Sequence, residues 1–151
     1  MQSYTARGFR DEGHDHRPLS ALLAALLAAG APQVAVGGDW VTADRTAIVR
    51  IGACGTHLCG AVARVVARGP NVPRTDVHNP DPALRSRPLV GLPVLVGFAR
   101  DGPQWTGGRA YDAKTGRTYK AKLTPNSDGS LTVTGCILFL CKSQRWTRAG
   151  P

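Results

Sequence analysis

Strict apolar–polar alternation, cut at short intervals by glycine-bearing turns, constrains this chain more than any other feature. In "TAIVRI" (46–51) Ala47, Val49 and Ile51 fall on one face. "CGAVARVVAR" (59–68) sets Ala61, Ala63, Val65 and Ala67 against Arg64 and Arg68. "RTYKAKL" (117–123) places Tyr119, Ala121 and Leu123 opposite Lys120 and Lys122, and "SLTVTG" (130–135) places Leu131 and Val133 opposite Thr132 and Thr134. "LPVLVGFAR" (92–100) is apolar on both faces. A period of two is the signature of a strand. "DGP" (101–103), "KTG" (114–116) and "SDG" (127–129) supply tight turns between such runs. Strands joined so closely, with no helical periodicity between them, form an antiparallel meander. About eight short strands must stack as a sandwich or close as a barrel. The expected fold class is therefore all-β, with one domain in a chain of 151 residues.

One segment interrupts the rhythm. "GPNVPRTDVHNPDPALRSRPLVG" (69–91) holds five of the eleven prolines, and proline lacks the N–H that a central strand needs. Asp81 before Pro82 is placed to cap a short helical turn over "PALR". The expectation is a long ordered loop that folds back across a barrel mouth, pinned by a contact between Asp76 and an arginine.

Ahead of the β pattern lies "PLSALLAALLAAGAPQ". The run from Leu19 to Ala29 is apolar except for Ser20 and shorter than the roughly 20 residues of a membrane span. Arg17 precedes it and small residues follow, so residues 1–31 read as a signal-peptide-like leader and 36–151 as the domain. Asp11, Glu12 and Asp15 are unusual in such a leader. The expected location is periplasmic or secreted, with no transmembrane span in the mature protein. Residues 1–30 are neutral overall, so the mature chain keeps the formal charge of +9. Behind an export signal that charge points to an anionic cell-envelope component rather than to nucleic acid.

The four cysteines, Cys54, Cys59, Cys136 and Cys141, all lie in the mature part. An even number in an oxidising compartment reads as two disulfides. Zinc is the competing reading, with His57 between the first pair. Against it, the second pair encloses the apolar "ILFL" rather than a glycine-rich knuckle. Three connectivities remain open. Local pairing of Cys136 with Cys141 requires a bend, because five residues of straight strand span roughly 16 Å.

Three stretches together carry a resemblance. "GDWVT" opens the domain at Gly38, "DVHNPDPALRSRPLVGLPVLVGF" begins at Asp76, and "WTGGRAYDAKTGRTYKAKL" with "LTVTGCILFLCKSQRWTR" closes it. Their ordered combination resembles the bacterial DUF2147 family, a domain of unknown function, over nearly all of the chain after Gly38. The resemblance implies export and a single antiparallel lipocalin-like barrel of about eight strands. No enzymatic activity comes with it. Lipocalins open on a Gly-x-Trp motif whose indole plugs one barrel end under a basic residue from the last strand. Gly38 and Trp40 match the motif, and Arg148 in "RWTR" matches the basic partner. A structural role is expected for these residues and for Trp146.

Candidate ligand residues are few. Trp105, Tyr111 and Tyr119 would form stacking surfaces if they face a cavity. Asp76, Asn79 and Asp81 could gather round calcium, but turns and caps use the same residues. Arg85 and Arg87 could clamp an anion, or pair with Asp76 or Asp81. No nucleophile elbow or zinc-protease motif occurs, so neither a catalytic residue nor a cofactor nor a metal is expected. The functional expectation is a small, partly apolar ligand in the barrel. The alternative is an envelope interaction protein with a filled barrel and a basic surface. A hydrolase using an aspartate of the proline-rich loop is a weaker third reading.

Overall fold

The computed structural model describes residues 35–151, so the leader expected at 1–31 lies outside the described residues. Eight strands follow one another round a closed antiparallel barrel: β1 (Gly38–Val41), β2 (Ala47–Cys54), β3 (His57–Val65), β4 (Pro93–Asp101), β5 (Gln104–Asp112), β6 (Arg117–Pro125), β7 (Leu131–Ile137) and β8 (Leu140–Arg148). Closure between β1 and β8 uses only two registered pairs, Trp40 with Arg148 and Val41 with Thr147. The five runs legible in the sequence become β2, β3, β4, β6 and β7. A single 3₁₀ turn, Pro82–Leu84, has the expected Asp81 cap, whose carboxylate accepts from the Ala83 N–H at 3.0 Å.

The interior is packed with side chains. Trp40, Leu95, Phe98, Leu123 and Leu131 are all essentially inaccessible. The interior glycines are spaces that neighbours fill. A Cβ on Gly108 would come within 2.5 Å of the Phe98 ring, and one on Gly60 within 3.1 Å of both Leu95 and Val49. Packing of this density leaves little room for a ligand at that level of the barrel.

The faces read from alternation hold on β6, where Ala121 and Leu123 are buried and Lys120 and Lys122 exposed. They fail on β3. There the buried residues are Leu58, Gly60 and Val62, while Ala61 and Ala63 lie on the opposite face. A bulge opposite Ile48 and Val49 then turns Val65 back towards the core.

One barrel end is closed as the Gly-x-Trp motif implied. Trp40 donates its indole N–H to the Val36 carbonyl at 2.8 Å. The Arg148 guanidinium stacks 4.0 Å from the ring centroid. It also donates to the carbonyls of Gly37, at 2.6 Å, and Ala35. Gly38 has φ +117°, and a Cβ there would lie 2.6 Å from an Arg148 nitrogen. Glycine is therefore required twice over, by backbone conformation and by space.

Candidate functional site

Segment 66–92 joins β3 to β4 at the other barrel end. It forms a strap. Tyr111 pairs with Thr118, and Val96 with Arg109, on the outer surface of the sheet. The strap's Asp76, Asn79 and Arg87 side chains meet Tyr111 on that surface, while its Leu89 and Leu92 pack against the core. Its backbone closes through the Thr75–Pro88 bridge and the Asp76 N–H to the Arg87 carbonyl at 3.0 Å. Gly116 in the β5–β6 turn lets it seat, since a Cβ there would overlap the His78 carbonyl.

Asp76 holds the strap. It is wholly buried. Its carboxylate accepts from the Tyr111 hydroxyl at 2.7 Å, from the Asn79 amide at 2.8 Å and from the Arg87 Nε at 3.0 Å. Arg87 adds an ion pair at 2.9 Å and lies 5.9 Å from the Tyr111 ring centroid. Burial alone would push the pKa of this carboxyl group up. The three donors outweigh it and hold the pKa below the usual carboxylate range. Burial, followed by the bond to the Asp76 carboxylate, pushes the Tyr111 phenol up.

Six of the eight candidate residues thus converge, but not as a calcium site. Asn79 Oδ1 accepts the Asp81 N–H at 2.9 Å, and Arg85 donates to the Asn79 carbonyl at 2.8 Å rather than to a carboxylate. The oxygens of Asp76, Asn79 and Asp81 serve the strap's own turns. Among the described residues no set of three His, Cys, Asp or Glu side chains is placed to hold a metal ion. Trp105 and Tyr119 stand apart from this cluster. Trp105 packs against the core beneath Arg100, 5.6 Å from its ring centroid, and Tyr119 lies beside Gly135.

Between the strap and the sheet lies a groove of about 420 Å³. Asn79, Pro80 and Arg87 form one wall. Val94 and Val96 of β4, with Arg109 and Tyr111 of β5, form the floor. Arg109 has no carboxylate partner among the described residues. The sequence reading missed Val96, Arg109 and Thr118. The only available signal was the unbroken apolar run of β4, whose outer face needed an explanation.

All four cysteines are oxidised in two local disulfides, Cys54–Cys59 and Cys136–Cys141. Each staples a hairpin with a two-residue turn, at opposite ends of the barrel. The bend that the second pair needed is the turn at Leu138–Phe139. No thiolate remains for zinc.

The closed eight-stranded meander, with its indole–guanidinium plug, defines a lipocalin-like barrel. A solved structure described as "Protein HP1028 from the human pathogen Helicobacter pylori belongs to the lipocalin family" shares this fold, with a TM-score of 0.67 at 23% identity over 77% of this chain and 84% of that one. The chain belongs to the DUF2147 family, described as an uncharacterized protein conserved in bacteria, whose model matches residues 38–148. No curated protein matched the sequence. No helix among the described residues is long and apolar enough to cross a membrane.

Proposed function

We propose that this is an exported, non-enzymatic binding protein that takes a small amphipathic anion in the groove outside the barrel. The observation that carries the reading is the groove itself. Its volume of about 420 Å³ lies in the range of small-molecule sites, whereas the barrel interior is filled. Val94, Val96 and Pro93 offer an apolar floor. Arg109 offers an unpaired guanidinium for a carboxylate, sulfonate or phosphate. Catalysis is disfavoured by the state of Asp76. A carboxylate buried in three hydrogen bonds with a lowered pKa is a poor general base.

The probe is anilinonaphthalene sulfonate, an aromatic anion that matches both features. Arg109→Glu should weaken its binding about tenfold, or about 1.4 kcal/mol, while Thr56→Ala, in the β2–β3 turn at the opposite barrel end, should leave it unchanged. Undiminished binding by Arg109→Glu would overturn the reading. Native mass spectrometry of protein from its own host should retain an anionic small molecule.

A further inference from the structure

The β7–β8 hairpin ends in an apolar tip that no other described residue covers. Leu138 is 89% exposed, Phe139 85% and Leu140 71%, and Ile137 beside them is also exposed. Single exposed apolar residues are ordinary, but four in succession at a protruding turn are not. The backbone makes the choice of residue more telling. Leu138 has φ +52°, a left-handed conformation that glycine or asparagine adopts readily and a branched side chain does not. Leucine therefore stands at a strained turn position without gaining any packing. The Cys136–Cys141 disulfide directly behind the tip, with Cα atoms 4.1 Å apart, holds the finger closed.

Charge identifies the occupant. Strands β6, β7 and β8 contain no acidic residue and six basic ones. Four of these, Arg117, Lys120, Lys122 and Lys142, form no ion pair among the described residues. Lys120 is registered opposite Cys136, and Lys142 opposite Gly135, so both lie within a few residues of the tip. A narrow apolar point backed by unpaired cations suits the boundary between headgroups and acyl chains of an anionic bilayer. It is too small to supply the roughly 800 Å² per partner of a stable protein interface.

We propose that the Leu138–Phe139–Leu140 tip inserts into the surface of an anionic membrane, with Lys120 and Lys142 contacting lipid phosphates. Flotation with vesicles of equimolar phosphatidylglycerol and phosphatidylcholine tests it on the full mature domain. Wild-type protein should float with these vesicles and not with pure phosphatidylcholine, and added salt should release it. Leu138→Ser/Phe139→Ser should reduce flotation about tenfold, and Lys120→Glu/Lys142→Glu should do the same by charge. All four side chains are exposed, so both variants should keep the wild-type melting temperature. Equal flotation of the tip variant, or equal binding to neutral vesicles, would overturn the proposal. So would a concentration-dependent dimer, without flotation, that the tip variant abolishes, because the tip would then belong to a second copy.

Discussion

The two disulfide-stapled hairpins share a cysteine spacing and a turn length, yet their tips are opposites. The β2–β3 hairpin turns through Gly55 and Thr56, with Gly55 at φ +65°, which is the residue the geometry asks for. The β7–β8 hairpin turns through Leu138 and Phe139 and places leucine where glycine belongs. The same contrast separates the two barrel ends. At the Gly55 end, the polar turns and the Trp40–Arg148 plug are accounted for by stability. At the Leu138 end stand an exposed apolar tip, a strap pinned by a buried carboxylate, and a groove whose Arg109 has no carboxylate partner among the described residues. An ion pair between Lys114 and Asp44 also ties the β5–β6 turn to the β1–β2 turn there. Features that stability does not require are where binding is to be sought.

The largest expected effect lies at the plugged end. Trp40→Ala should destabilise the whole barrel by about 3–5 kcal/mol, read by chemical denaturation. Arg148→Ala should lose less, and the double variant should fall short of the sum because the two side chains touch. Strict additivity would break the equation of this end with stability.

A smaller and more local effect is expected from Asp76→Ala, about 2–4 kcal/mol, since it leaves Tyr111, Asn79 and the half-buried Arg87 without their acceptor. Hydrogen exchange should rise across 69–91 while β2 and β7 stay protected. Acid should mimic the substitution. The native pKa of Asp76 is lowered, so its contribution is complete above the unfolded value of about 4 and disappears as pH falls through the native value. Protection of the strap amides, relative to their intrinsic exchange rates, should therefore fall below about pH 4 before the barrel melts. A barrel that unfolds together with the strap would show that the two are one cooperative unit.

Removing either disulfide by paired Cys→Ser substitution should cost about 2 kcal/mol by loop entropy, nearly equal for the two because the loops are equally short. Equality would confirm that the hairpins differ in their tips and not in their staples. A much larger loss at Cys136–Cys141 would mean that the apolar tip depends on its brace.

The smallest effects are the sharpest. A Cβ at Gly55 meets no atom within 4 Å, so Gly55→Leu should cost mainly backbone strain, about 1–2 kcal/mol. Leu138→Gly should relieve the same strain and stabilise by about 0.5 kcal/mol after the glycine's entropy is counted. It should also weaken membrane flotation. A destabilised Leu138→Gly would show that the leucine packs, against its exposure in the structure.

Much of the barrel was legible because strand alternation and turn chemistry act between near neighbours. Tyr119, Ala121 and Leu123 share a face simply by spacing, and Asp81 caps its turn because Pro82 and Ala83 follow it. The plug was legible through its motif rather than through spacing, since 108 positions separate Trp40 from Arg148. The β3 faces were not legible. A bulge answers a mismatch with the partner strand, and the run itself carries no mark of that mismatch. The pairing of the cysteines and the strain at Leu138 also waited on the structure, because both follow from where a hairpin turns. The groove needed most. Val96, Arg109 and Arg87 meet only through the β4–β5 register and the laying of the strap on the outer face of the sheet. The sequence by itself determined that the chain would be a meander of short strands with a plugged end and a long proline-rich connection. Which face that connection covers, and hence that the cavity lies outside the barrel, was decided by packing between residues distant in sequence, where local periodicity carries no information.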